Sequence, residues 1–448
     1  MKIYNLVNIV SILQKIERED KLFELEIQKV YLWKLIRFRV MNRYLIKLNL
    51  INGLHFQKKS KFEKIIKLIK EFILAIKQRE TKQFEVLFID ESYLKDKSKF
   101  FFKEMQKLRN EGKSYYIIEP NINETNIKNK EYYSIYNFEY IILKIFYYFG
   151  SKLGLNIKEK NEIKNLSKNF QNFYGKDFIL DIKEIKKIIS IFKFEKNFFK
   201  RFFKKKKIKK IYLTCSYGKE GIIAAARDLG IKVIEFQHGI ISKYHFGYNY
   251  PLDIYIPYLP DEIYIFSEYW KSKGIPKQCI TKIYGYPYIW EEIKNNQKNI
   301  INKGQVLFIS QGSIGKKLSK KVVEFAKINK DMKIIFRLHP GEVEIWKEKY
   351  KILFENYKKL NIEISFPKES LYSLLCSSEY VIGVYSTVIY EALNLKKKVG
   401  VFNYTGVEYL EDLIEKKYIY LFEENIALDK LDELELNYSS GYFLGIDI

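Results

Sequence analysis

The sequence predicts an α/β protein of two doubly wound, Rossmann-like domains facing a cleft, preceded by a helical N-terminal extension. Three observations predict it. The chain has 448 residues, more than one hydrophobic core usually supports, so two domains are the natural division. From residue 86 onward, short apolar runs rich in Ile, Val, Phe and Tyr alternate with helix-period stretches, the pattern of parallel strands joined by crossovers. A second series of such runs begins at Val306, after an Asn/Lys-rich stretch.

Residues 1–85 read as the helical extension, because runs such as 62–74 (FEKIIKLIKEFIL) place apolar residues three and four apart. The run 86–90 (VLFID) opens the first α/β domain, 86–287, with further strands at 115–118, 211–214 and 232–236. Between the last two, 219–229 reads as a helix closed by Gly230, which completes a β-α-β unit. Residues 288–303 read as an interdomain linker, entered through a Gly/Pro turn. The second domain, 304–448 with its tail, has strands at 306–309, 333–337, 362–365, 380–384, 398–402 and 418–421, spaced for right-handed crossovers in one parallel sheet.

Composition narrows the class. With 47% hydrophobic and 30% charged residues the chain is expected to fold throughout. A net charge of +25 has three readings: attraction to an anionic membrane surface, to a phosphate-bearing substrate, or to nucleic acid. Part of it also follows from the joint abundance of Lys, Ile, Asn, Phe and Tyr. The densest basic run, 204–210 (KKKKIKK), reads equally as a solvated loop or as a membrane- or phosphate-facing patch. No nucleic-acid-binding motif accompanies it, so no specific nucleic-acid partner is expected. Cys215, Cys279 and Cys376 lie far apart without metal spacing, which fits a reducing compartment. The apolar run 140–149 contains Lys144 and is about half the length of a bilayer span. The first ten residues lack a cleavage site. The protein is therefore expected in the cytoplasm, at most peripheral on the inner face of the plasma membrane. No Asp-x-Asp triplet and no His-Glu-x-x-His occurs, so neither a metal nor a resident cofactor is expected.

Open parallel sheets bind ligands beyond the carboxyl ends of their strands, and three of the four histidines lie there. His238 stands between Gln237 and Gly239, directly after the 232–236 strand; His245 follows seven residues on; His339 follows Arg337. His55 falls in the extension, where packing or surface exposure is the default. Arg337 and His339, two apart, project to one face if the strand persists, and both can donate to a phosphate. They equally describe an ordinary strand end. In 384–393 (VYSTVIYEAL) a strand ends, Ser386 caps, and a helix begins whose first-turn N–H groups favour an anion. Thr387 and Glu391 share its face, about 6 Å apart along the axis, so phosphate at the helix start and ribose hydroxyls at Glu391 suit the spacing, as does a plain capped core helix. The turn Ser310-Gln311-Gly312-Ser313 is a weaker signal for close approach to phosphate or acceptor. The 216–221 turn is a similar one on the acceptor side.

Taken in order, Gln237-His-Gly239, Arg337-Leu-His-Pro340 and Tyr385-Ser-Thr-x-x-Tyr-Glu-Ala-Leu393 resemble the bacterial surface-polysaccharide transferases of the GT-B fold. The nearest groups are the capsular polysaccharide enzymes that use CMP-activated Kdo or sialic acid, and the CDP-glycerol glycerophosphotransferases. The resemblance spans about residues 205–405. It implies that His238 acts as general base on an acceptor hydroxyl or orients it, that Arg337 and His339 bind the donor phosphate, that Ser386 and Thr387 hold phosphate at the helix start, and that Glu391 holds ribose. Gln237, Gly239, His245 and the 310–313 turn are acceptor-loop candidates. His238-Gly239 stands where sialyltransferase-like members have Asp-Gly, and the aromatic loop 244–250 matches the glycerophosphotransferases poorly. The implied partners are a nucleotide-sugar donor and a glycan or lipid-linked acceptor, with a CMP-linked donor favoured and no metal. Polyol-phosphate transfer, sugar-nucleotide epimerisation, and non-enzymatic binding of nucleic acid or an anionic surface are the alternatives.

Overall fold

The computed structural model describes residues 5–51, 83–89, 100–118, 133–134, 154–296, 302–312 and 314–445. The predicted helix at 62–74, His55 and Ser313 lie outside these residues.

Two parallel sheets organise the molecule. After a small antiparallel hairpin of β1 (Glu26–Ile27) and β2 (Val30–Tyr31), the first sheet contains β3 (Val86–Ile89), β4 (Tyr116–Ile118), β5 (Tyr133–Ser134), β6 (Lys210–Thr214), β7 (Lys232–Phe236), β8 (Glu262–Ile265) and β9 (Ile280–Ile283), in the order β5-β4-β3-β6-β7-β8-β9. The second contains β10 (Gln305–Ile309), β11 (Lys333–Arg337), β12 (Ile362–Ser365), β13 (Tyr380–Gly383), β14 (Lys398–Phe402) and β15 (Tyr420–Phe422), in the order β12-β11-β10-β13-β14-β15. Both begin from a central strand, step outward to one edge, then return to its other side. That is the doubly wound order, and it opens a crevice where the winding reverses, between β3 and β6 and between β10 and β13. Two such domains facing a common cavity make the GT-B architecture that the sequence predicts. The central strands Val306–Ile309 and Tyr380–Gly383 are buried throughout, as helices on both faces of a parallel sheet require.

The two described N-terminal helices pack into the core and against the first sheet's helices. The helix Leu6–Glu19 buries Leu6, Ile9, Val10, Leu13 and Ile16 along one stripe. The helix Leu32–Lys47 is tied inward by Lys34, whose Nζ lies 3.0 Å from Glu220 Oε1 in a buried ion pair. Nor is the basic run at 204–210 a single patch. Lys206 is buried against the rings of Phe84 and Tyr116 at the end of the helix Ile182–Lys206, and Lys209 pairs with Glu85.

Most of the predicted linker is also ordered structure. Pro287–Asn296 is a helix, with proline at the first position where its missing N–H costs nothing, and Ile289 and Ile293 are buried. The C-terminal tail returns to the first domain. Ser267 Oγ donates to the Tyr442 carbonyl at 2.7 Å, Trp270 Nε1 to Phe443 O at 2.6 Å and Trp290 Nε1 to Gly445 O at 2.9 Å. Gly445, at φ +73°, is required there, because a Cβ would meet the Phe266 carbonyl at 2.4 Å.

Candidate functional site

A cavity of about 570 Å³ lies between the two sheets and is lined from both domains. The first domain contributes Tyr217 after β6, His238 and Gly239 after β7, His245 from the following loop, and Phe38 and Asn42 from the helix Leu32–Lys47. The second contributes Ser310 and Gln311 after β10, His339 after β11, and Tyr385, Ser386 and Thr387 after β13. Every strand-end contributor lies beyond a carboxyl end, and Ser310 and Ser386 flank the β10/β13 reversal point.

His238 sits in a chain of polar groups. Tyr248 donates its hydroxyl to Glu235 Oε1 at 2.7 Å, and the Tyr248 hydroxyl oxygen lies 3.4 Å from His238 Nδ1. On the other side of the ring, Nε2 lies 3.4 Å from the Tyr217 hydroxyl. Burial, then the Lys219 ammonium, push the His238 pKa down to about 4. His245 accepts the Gly247 N–H at Nδ1, 3.1 Å, and packs among Tyr217, Tyr248, Phe38 and Tyr409. Burial, with His238 beside it, pushes it down to about 3. His339 accepts the Gly341 N–H at Nδ1, 3.2 Å, so its neutral form carries the proton on Nε2. Burial lowers its pKa, Glu342 opposes that and Lys349 adds to it.

Both imidazoles, half-buried in the cavity wall, make stability depend on acid. Their unfolded pKa is about 6.5, and the folded values lie near 4 and 3. Below pH 6.5 the unfolded chain therefore binds more protons than the folded one, so this stability is complete above that pH and is lost as pH falls towards the folded values. The calorimetric midpoint is expected to drop between pH 6.5 and 4. A His245→Asn protein, which retains an acceptor for Gly247, should lose less over the same interval. An equal or steeper loss would contradict the assignment.

The second-domain wall is organised by Glu342, which the sequence did not single out. Its buried carboxylate accepts from Ser310 Oγ at 2.7 Å, the His339 N–H at 3.1 Å, Lys349 Nζ at 3.1 Å and the Tyr350 hydroxyl. The 310–312 turn is thereby locked to the His339 loop, with Lys349 also donating to Gly312 O at 2.7 Å. Gly315 admits this network, since a Cβ there would meet Tyr350 Oη at 2.0 Å. Gly312 itself is not among the lining residues. Gln311 is, and its buried Oε1 has no hydrogen-bond partner among the described residues, leaving an acceptor for a ligand hydroxyl. Ser386 caps the helix Thr387–Asn394 by accepting the Val388 N–H at 3.2 Å.

Besides Gly312, three predicted residues do not reach the cavity wall. Arg337 turns away: Nη1 donates to Ser365 Oγ at 2.8 Å and to Phe366 O, and Nη2 to Glu369 O at 2.8 Å. β11 ends at Arg337 and His339 starts a 3₁₀ turn, so the shared face expected from an uninterrupted strand does not form. Gln237 is buried and braces the loop, donating to Gly239 O at 3.0 Å and accepting the Phe266 N–H at 2.9 Å. Glu391 lies one turn below Thr387, 1% exposed and beside the Tyr372 hydroxyl, so its carboxylate is not presented to the cavity. Conversely the sequence points to Tyr217 and Tyr248 only as members of the 216–221 turn and the 244–250 loop, and not to Glu235, Phe38 or Asn42, because an isolated aromatic or carboxylate in a run reads as core or surface.

No protein-family model and no curated protein matches the chain. Among solved structures it is similar to the UDP-GlcNAc 2-epimerase of Methanocaldococcus jannaschii, with 13% identity over 82% of this chain and 96% of that one and a TM-score of 0.48. It is also similar to the UDP-GlcNAc 2-epimerase of Neisseria meningitidis, at 11% identity over 80% and 96% with a TM-score of 0.47. For MurG of Acinetobacter baumannii the identity is 9% over 78% and 88%, with a TM-score of 0.39. Likeness this remote carries no assignment of activity. The strand orders and the cavity define the class: a two-domain protein of doubly wound sheets whose shared cleft collects three histidines and a capped helix start.

Proposed function

We propose that the protein is a glycosyltransferase that moves a sugar from a nucleotide-activated donor to a hydroxyl of a capsular or other surface glycan, lipid-linked, with a CMP-linked donor favoured. One observation carries this reading: His238 from the first domain lines the same cavity as His339 and the start of the Thr387–Asn394 helix from the second. In the transfer, the acceptor oxygen bonds to the sugar carbon as its proton passes to His238 Nε2. The bond from that carbon to the donor phosphate oxygen breaks. The charge left on the nucleotide phosphate is met by His339 Nε2–H and the helix-start amides. Phe38, Tyr217, Tyr385 and Tyr409 supply an aromatic wall of the kind that holds a sugar with few polar contacts. The CMP preference rests on the resemblance of the three motifs.

Thermal-shift measurement with CMP-, CDP-, UDP-, GDP- and dTDP-linked ligands, followed by mass analysis of products, tests the proposal. One donor should raise the unfolding midpoint and yield an acceptor heavier by one glycosyl unit. A phosphate-bearing increment would instead identify polyol-phosphate transfer, and an isomer of the donor an epimerase. No stabilisation by any nucleotide, with steeply salt-dependent binding to random duplex, would overturn the enzymatic reading.

No helix among the described residues is long and apolar enough to cross a membrane. The exposed Arg201, Lys204, Lys205 and Lys207 support our further reading that the protein rests against an anionic membrane face. It should sediment with phosphatidylserine-containing vesicles at low salt and be released at high salt. Failure to sediment at low salt would reject this.

A further inference from the structure

Glu235 is a carboxylate in the middle of a parallel sheet, fully buried on β7. Such a group is costly unless hydrogen-bonded. Its Oε1 takes the only proton the Tyr248 hydroxyl can give, at 2.7 Å. Burial raises the Glu235 pKa, and bonds from Tyr248 and Ser216 with the Lys219 charge oppose it; with the carboxylate ionised, that hydroxyl can act towards His238 only as an acceptor. The contact of 3.4 Å between Tyr248 Oη and His238 Nδ1 is then one in which Nδ1–H donates. A neutral imidazole with its proton on Nδ1 has its lone pair on Nε2, the nitrogen that faces the Tyr217 hydroxyl. The ring is neutral near pH 7, so it has a single tautomer to choose.

We propose that Glu235 and Tyr248 are positioning residues which hold His238 in the Nδ1–H tautomer, so that Nε2 is the proton acceptor in the cavity. This deepens the reading of His238 as the base and rests on it for its catalytic consequence, whereas the tautomer is a property of the resting protein. The two other cavity histidines provide an internal contrast. His245 and His339 each accept a backbone N–H at Nδ1 and are therefore of the opposite, Nε2–H form. Neither Glu235 nor Tyr248 lines the cavity, so neither is placed to touch substrate.

Selective ¹⁵N labelling of the histidines in the whole protein at pH 7, with assignment by single His→Gln replacements, reads the tautomers directly. The expected spectrum has His238 protonated at Nδ1, and His245 and His339 at Nε2. In Tyr248→Phe the His238 proton should move towards Nε2, and kcat should fall by about 100-fold with KM changed less than about twofold, since proton transfer by a placed base contributes about 10²- to 10⁴-fold. Glu235→Gln, which lets the Tyr248 hydroxyl donate to Nδ1 instead, should move the tautomer in the same direction. An Nε2–H signal for His238 in the unmodified protein overturns the proposal. So does an unmoved Nδ1–H signal in a folded Tyr248→Phe. If that variant does not fold, the unmodified spectrum and Glu235→Gln decide. Should no nucleotide sugar be turned over, the function reading fails while the spectrum still judges the tautomer. Should His238→Ala abolish transfer although His238 is Nε2–H, the relay fails and the function stands.

Discussion

A His238→Ala protein should bind its nucleotide-activated donor as the unmodified protein does and transfer from it about 10²- to 10⁴-fold more slowly, the range that a positioned general base contributes. The asymmetry between binding and turnover follows from the geometry. His238 belongs to the first domain, beside Tyr217 and Gly239, whereas the proposed phosphate contacts, His339 and the Thr387–Asn394 helix start, belong to the second. Removing the imidazole takes nothing from the donor side. Stability should change little on the cavity face, because the ring's hydrogen-bond contacts, to Tyr217 and Tyr248, are both at 3.4 Å. Because His238 titrates near 4, the acid limb of the rate profile of the free enzyme should lie well below pH 6.5. Single-turnover rates and donor affinity, measured on the same preparation, check both halves. Unaltered turnover in this variant removes His238 from the chemistry.

Replacing Arg37 by methionine should destabilise the fold by about 3–5 kcal/mol, the cost of breaking a buried ion pair from one side. Arg37 and Glu17 are 1% and 0% exposed at the side chain. The guanidinium donates to both Glu17 oxygens, to Phe246 O and to Asn249 O at 3.1 Å, and lies over the Tyr250 ring. Trp33 Nε1 also donates to Glu17, at 2.7 Å. Methionine fills comparable space but leaves a buried carboxylate without its cation, the Phe246 carbonyl without its donor and the Asn249 carbonyl with Gln14 Nε2 alone. The loss should reach the cavity, since the carbonyls belong to the loop that carries His245 and Tyr248. Adding Glu17→Leu should recover part of the stability by removing the orphaned charge. Denaturant unfolding of the single and double variants measures this; a single-variant cost under about 1 kcal/mol would show that the pair does not hold the loop.

The strands were the most legible part of the chain. Runs such as Val306–Ile309 and Val233–Phe236 are rich in β-branched and aromatic residues, bounded by turn residues, and buried, so local pattern and tertiary role agree. β8 was missed because Glu262–Ile265 is short, begins with a charged residue and follows Pro260-Asp261. Residues 288–296 read as linker because the Asn-rich end of the helix Pro287–Asn296 hides a first turn whose Ile289 is buried in the folded chain. The histidines after the strands converge as their positions at carboxyl ends imply, whereas Arg337 and Glu391 do not follow from spacing. A strand's end and a helix's buried side depend on what packs against them. The Arg337 guanidinium found carbonyls at 366 and 369, and the Glu391 carboxylate is buried beside Tyr372.

By itself the sequence determined the two doubly wound sheets and the strand ends at which His238, His339 and Ser386 emerge, because periodicity and turn chemistry are local properties. Only the tertiary structure decided that the N-terminal helices brace the His245 loop, that Glu342 locks the second-domain wall, and that Tyr248 stands between a buried carboxylate and His238. The Glu342–Ser310 contact spans 32 positions and the Arg37–Asn249 contact 212, and the hydrogen-bond partner of a buried polar group is chosen by what the folded chain brings beside it.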